Sequence, residues 1–159
     1  MTAYGITLFL HSWLRWAVVV TAVMALVPSV VGWLNGAHWT DAKTKWASWF
    51  VNSTSIQLVL GLLLYGVFSP VMQTAFANFG GAMKDGVLRF WAVEHMTMMT
   101  IAVALTHIGA ARIKKASSDV GKHRVATIFF GLAILIIVAS IPWPGAGADP
   151  RPLFRLALP

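Results

Sequence analysis

Four long apolar runs, separated by short polar stretches, account for most of the chain: about 6–34, 46–68, 87–111 and 125–141. Crossing a bilayer core as a helix takes roughly 20 apolar residues, so the pattern predicts four membrane spans. The first run is long for one crossing. His11, Ser12 and Arg15 near its start, flanked by Trp13 and Trp16, suit either a tilted helix or first turns lying in the interface, and Pro28 predicts a kink toward its far end. The second run opens with Asn52, Ser53, Thr54, Ser55 and Gln57 before becoming plain Leu, Val and Gly up to Ser69-Pro70. Ser53, Gln57 and Gly61 fall on one helical face, a pattern that lets helices approach closely and hydrogen-bond. The 71–86 connection, with Phe76, Phe79 and Gly80-Gly81, is expected to lie along the surface, and Pro142-Trp143-Pro144 stops the fourth helix.

Short connections make consecutive helices antiparallel neighbours. The expected fold is an all-α membrane protein: a four-transmembrane-helix antiparallel bundle over 1–144, followed by a Pro/Gly-rich apolar tail over 145–159. Only 11% of the residues are charged and 58% are hydrophobic, against the roughly 25% charge of a soluble domain. The net charge of +7 would point to nucleic acid in a soluble protein. Here the cations sit in the connections, so orientation in the bilayer accounts for them and nucleic acid is not an expected partner. Lys43, Lys45, Arg112, Lys114, Lys115, Lys122 and Arg124 lie in the first and third connections; Lys84, Arg89, Arg151 and Arg155 lie on the other side, with Arg15 near the start of the first span. The positive-inside bias therefore predicts a multi-pass protein of the bacterial inner membrane with both termini on the non-cytoplasmic side. Met1 to Gly5 has no basic region of the kind that opens a signal peptide, so the first run reads as a retained helix. The absence of cysteine excludes disulfides, thiolate metal sites, iron–sulfur clusters and c-type haem attachment.

Glu94 is the one carboxylate inside an apolar run, and it stands beside His95 and near Met96, Met98 and Met99. Ionisable groups at membrane depth are costly and mark function by default. With antiparallel helices, His11 in the first span and His95 in the third come to similar depth, with Arg15 one turn below His11 near the level of Glu94. One reading is a b-type haem held by His11 and His95, with Arg15 available to a propionate or to Glu94, and Trp13, Trp16, Phe90 and Trp91 as aromatic walls. Another is a buried Arg15–Glu94 ion pair that fixes helix packing, with His11 merely interfacial. A third is a quinone contact, in which His95 and Glu94 hydrogen-bond the quinone oxygens. Both the first and second readings stay open on the residues alone. His107 lies twelve residues after His95 and about 120° round the helix, a poor position for a second haem ligand; a hydrogen bond to Gln57 or a nearby serine is expected instead. His38 and His123, in basic connections, are expected to be solvated. The three methionines do not share one face, which argues for packing over copper. No triad, phosphate loop or metalloprotease motif is present, so no autonomous catalytic activity is indicated.

His11-Ser12-x-Leu14-Arg15-Trp16, Ile56-Gln57-Leu58-x-Leu60-Gly61-x-x-Leu64-Tyr65 and Met83-Lys84-Asp85-x-x-Leu88-Arg89-Phe90-x-x-x-Glu94-His95 resemble a family of small four-span bacterial membrane proteins, common in Bacteroidota and often described as cytochrome b or cytochrome b-like. Lys122-His123 at the entry to the fourth helix and Ile141-Pro142-Trp143-Pro144 at its exit fit the same family. The resemblance covers nearly the whole chain and implies a b-type cytochrome-like bundle. Relatives often carry a histidine two residues before the helix-two glutamine; Ser55 stands there in this chain, which leaves His11 and His95 as the candidate ligands. The expected function is a small integral subunit of a respiratory or photosynthetic electron-transfer complex, binding one b-type haem or contacting quinone, with larger redox subunits and the lipid bilayer as partners. The alternatives are a cofactor-free accessory subunit and, with nothing specific behind it, a small transporter or metal-handling protein. Leu153, Phe154, Leu156 and Leu158, with Arg151 and Arg155 between them, predict an arm that docks on a partner protein or on the outer leaflet.

Overall fold

The computed structural model describes residues 2–145 and 147–156. Four long helices carry the fold: α1 (Ala3–Asn35), α2 (Asp41–Phe68), α5 (Gly86–Lys115) and α6 (Asp119–Ser140), each long and apolar enough to cross a membrane. Two short helices, α3 (Pro70–Ala77) and α4 (Phe79–Ala82), occupy the connection expected to lie along the surface. Around the bundle the order is α1, α2, α5, α6, so α1 and α5 face one another across the diagonal with α2 and α6 on either side. The beginning of α1, the α2–α5 connection and the tail share one end of the bundle; the two basic turns share the other.

The helices extend further than the apolar runs. The first connection shrinks to 36–40 and the third to 116–118. Local chemistry explains both. Gly36 closes α1 in the left-handed conformation (φ 63°) that glycine adopts without steric cost. Ser118 caps α6, its hydroxyl accepting the Gly121 N–H at 3.1 Å. Basic residues read as loop from composition are instead the last turn of α5, where Arg112, Lys114 and Lys115 suit the negative end of the helix dipole. Pro28 lies inside α1 without ending it.

The interior is made largely of small residues, with Phe50, Phe130 and His123 as its large fully buried side chains. On α6 the buried positions are His123, Ala126, Phe130, Ala133, Ile137 and Ser140, a strict alternation of three and four, the period of a left-handed coiled-coil seam. Over His95–Lys115 of α5 they are Ala102, Thr106, Gly109 and Ile113, with the same period. Large apolar side chains point outward instead, among them Val20, Val27, Ile56, Leu132 and Leu135. Lipid tails give no hydrophobic incentive for helices to associate, so bilayer interfaces use small residues and buried hydroxyls. Thr21 and Ser53 meet at 2.9 Å between α1 and α2, and Thr54 and Thr106 at 3.4 Å between α2 and α5. The inside-out distribution is that of a multi-pass membrane protein.

Candidate functional site

Two helices depart from α geometry on the same end of the bundle. The last turn of α2, Leu64–Phe68, and a turn of α5, Phe90–Glu94, are π-helical. Such single turns recur at functional sites because they widen the helix locally. Inside the second, the Tyr65 hydroxyl from the first donates to the Ala92 carbonyl at 2.9 Å, tying the two widened turns together.

Between them and α1 lies a cavity of about 170 Å3, lined by His11, Gln57, Gly61, Tyr65, Trp91 and His95, with Leu58, Leu64, Met96, Met99, Val103 and Ile137 among its apolar walls. His11 and His95, expected at one depth, are brought to the same cavity from the diagonal helices α1 and α5. The ring of His95 is oriented by α6: its Nδ1–H donates to the Ser140 carbonyl at 2.9 Å. A neutral imidazole fixed in this way keeps an unprotonated Nε2. His11 is held by α2. The Gln57 side-chain amide donates to the His11 carbonyl at 2.9 Å, and a Cβ added at Gly61 would stand 3.3 Å from His11 Cε1. Gly61 therefore lets the imidazole lie against the α2 backbone. His11 Nδ1 is buried without a hydrogen-bond partner among the described residues.

The expected Arg15–Glu94 ion pair does not form. Glu94 Oε1 accepts from Arg89 Nε at 2.8 Å, and both side chains are about half exposed, 49% and 48%. Residues five apart lie about 140° apart on an α-helix; the i→i+5 bonding of the π turn brings them together, a local departure that regular helical spacing does not anticipate. Arg15 turns to the tail, where its guanidinium donates to the Leu153 carbonyl at 2.6 Å. The tail itself folds back over the end of its own bundle. Trp13 Nε1 donates to the Arg155 carbonyl at 2.9 Å, Trp16 Nε1 to the Leu153 carbonyl at 3.1 Å, and Trp91 Nε1 to Asp149 at 2.8 Å. Phe154 stacks on Trp16, with centroids 5.0 Å apart and planes at 15°. Of the four expected aromatic walls, only Trp91 lines the cavity; Trp13 and Trp16 hold the tail, and Phe90 packs behind Trp91 and His95. Leu158 of the expected arm lies outside the described residues.

Comparison with protein-family models, curated proteins and solved structures returned no match.

The remaining histidines divide differently from the sequence expectation. His107 Nε2 meets the Ser55 hydroxyl at 2.9 Å, the serine partner anticipated for it. His38 is exposed and contacts Asp119 at 3.0 Å. His123, expected in solvent, is fully buried. It sits one turn inside α6 because the helix starts at Asp119, and its ring packs on Trp39 and against Gly32. Its Nε2 accepts from Lys43 Nζ at 3.2 Å.

Among the described residues no three His, Cys, Asp or Glu side chains gather as a metal site. A pair of imidazoles is another matter, because a haem supplies the iron's other four ligands. The cavity fits that donor set: two histidines from facing helices, one with its outer nitrogen already committed to a backbone carbonyl, and apolar walls between them. Ligating histidines characteristically make this second bond, which fixes the tautomer and raises the basicity of the ligand nitrogen.

Proposed function

We propose that the protein is a small electron-transfer subunit of the bacterial inner membrane, with both termini on the non-cytoplasmic side, which holds one b-type haem between His11 and His95. The observation that carries this reading is that these two imidazoles, from diagonal helices, line one largely apolar cavity, with His95 turned by the Ser140 carbonyl so that Nε2 is free. A haem bound there would supply reversible one-electron chemistry at iron. His95, oriented by the Ser140 carbonyl, and His11, seated against Gly61, are the residues that would hold it, and the surrounding Leu, Val, Ile and Met side chains would limit the access of water. The resemblance to cytochrome b-like bundles points the same way, and larger redox subunits of a respiratory or photosynthetic complex are the proposed electron donors and acceptors.

An accessory subunit without cofactor was the alternative, and its main support was a packing ion pair between Arg15 and Glu94. Those residues have other partners.

The test is a dithionite-reduced minus oxidised visible spectrum of the detergent-purified protein beside His11→Ala and His95→Ala, with circular dichroism to check helical content. A b-type α-band in the wild type, lost in both variants while the helices persist, is expected. A folded wild type without Soret absorbance would leave an accessory role.

A further inference from the structure

The mouth of the cavity is unusually cationic. Arg15 from α1 and Arg151 and Arg155 from the tail all line it. The carboxylate beside them is Asp149, which pairs with Arg151 and accepts from Trp91; Glu94 faces Arg89 instead. Among the described residues, one carboxylate against three guanidinium groups leaves two positive charges over. Each of the three arginines also has its Nε–H buried without an acceptor among the described residues. A buried charged donor left without a partner is costly, and unsatisfied groups in a native fold call for an explanation. Here three of them sit at the rim of one apolar cavity.

The tail is built to keep two of these arginines there. Its backbone carbonyls at Leu153 and Arg155 are held by Arg15, Trp16 and Trp13, and Asp149 by Trp91. The Arg151 guanidinium lies 5.4 Å over the Trp91 ring. The tail backbone is thus held in place; Arg15 spends one guanidinium nitrogen on the Leu153 carbonyl and Arg151 one on Asp149, which leaves the Nε–H of each, and the Arg155 guanidinium, without an acceptor among the described residues.

We propose that the segment Asp149–Arg155 is a cap that recognises anions, and that Arg151 and Arg155, with Arg15, bind the two carboxylates of a porphyrin whose apolar body enters the cavity. This rests on the haem reading for the identity of the ligand but concerns the carboxylates rather than the iron. Guanidinium–carboxylate pairing in a partly dry site is strong and geometrically selective.

Protoporphyrin IX, which has both carboxylates and no iron, separates the two ideas. Quenching of tryptophan fluorescence in the full-length, detergent-solubilised protein, produced without haem and checked for the absence of Soret absorbance, reads its binding through indoles that include Trp13, Trp16 and Trp91 at the cap. The Arg151→Gln/Arg155→Gln variant is expected to bind it at least about tenfold more weakly than the wild type, the scale of one lost charge-assisted hydrogen bond. Protoporphyrin dimethyl ester, with the charges removed, is expected to bind both proteins alike, and Arg151→Lys/Arg155→Lys is expected to recover part of the affinity. Equal binding of the free acid by wild type and variant overturns the proposal, as does an equal loss for acid and ester, which would mean that the substitutions deform the cavity. Absence of saturable quenching in the wild type overturns it as well. None of these readings depends on histidine ligation, so loss of the α-band in the histidine variants stands or falls separately.

Discussion

Gly32→Ala is expected to lower the thermal midpoint of the detergent-purified protein by roughly 2–12 °C. A Cβ at position 32 would stand 2.5 Å from His123 Nε2 and 2.6 Å from Nδ1, closer than van der Waals contact allows. The ring has nowhere to go, because His123 is fully buried, packed on Trp39 at a centroid distance of 4.9 Å and bonded to Lys43. Overpacking of a close-packed interior costs about 1–3 kcal/mol, and each kcal/mol moves the midpoint of a domain of this size by about 2–4 °C. Combining the substitution with His123→Ala decides the mechanism. With the imidazole gone the added methyl enters the vacated space, so alanine at position 32 is expected to be neutral or stabilising in that background. An equal drop in both backgrounds would show that the α1–α6 contact at Gly32 is not the cause.

Ending the chain after Pro144 is expected to uncover the cavity mouth while leaving the four-helix bundle folded. The segment removed accepts hydrogen bonds from Trp13, Arg15, Trp16 and Trp91. At about 0.5–1.5 kcal/mol net for each, these four hold the cap with roughly 2–6 kcal/mol before the stacking of Phe154 on Trp16 is counted. The expected outcome is a red-shifted tryptophan emission, as indole rings lose their partners and meet water or headgroups, with far-ultraviolet helicity retained. The sequence expectation for this arm was a partner protein or the leaflet surface. If those are its true contacts, the emission of the isolated protein will be unchanged by truncation and migration on native gels of the assembled complex will shift instead.

Much of this architecture is legible in the chain because the bilayer imposes simple rules. The four spans follow from the length of the apolar runs, and the similar depth of His11 and His95, which line one cavity, from counting residues inward along two parallel helices. What escapes such counting is local. Nothing in Phe90-Trp91-Ala92-Val93-Glu94 announces a π turn, so the Arg89–Glu94 pair could not be read from α-helical spacing. His123 looks solvated among Lys122 and Arg124, yet Ser118 caps the helix early enough to bury it. Arg151 and Arg155 read as charges that interrupt an apolar arm, because the Trp13 and Trp16 indoles that hold that arm lie some 140 residues away in the chain. The unpartnered Nε–H groups of Arg15, Arg151 and Arg155 become visible only in three dimensions.

One further property follows from the make-up of the α6 seam. Phe130 is the single aromatic ring in a row otherwise made of alanine, isoleucine, serine and one histidine, and it meets Phe50 of α2 edge-on at 5.4 Å. Alanine and serine surfaces are nearly smooth and would let a helix slide along its neighbours. Phe130 acts as a locating peg that sets how far α6 reaches along the bundle axis. Ser140 lies ten residues beyond it, about 15 Å at 1.5 Å per residue, and its carbonyl height decides which way the His95 ring turns. The aim of an imidazole at one end of the molecule thus depends on a pair of phenyl rings near its middle, together with the His123–Gly32 contact at the far end of the same seam.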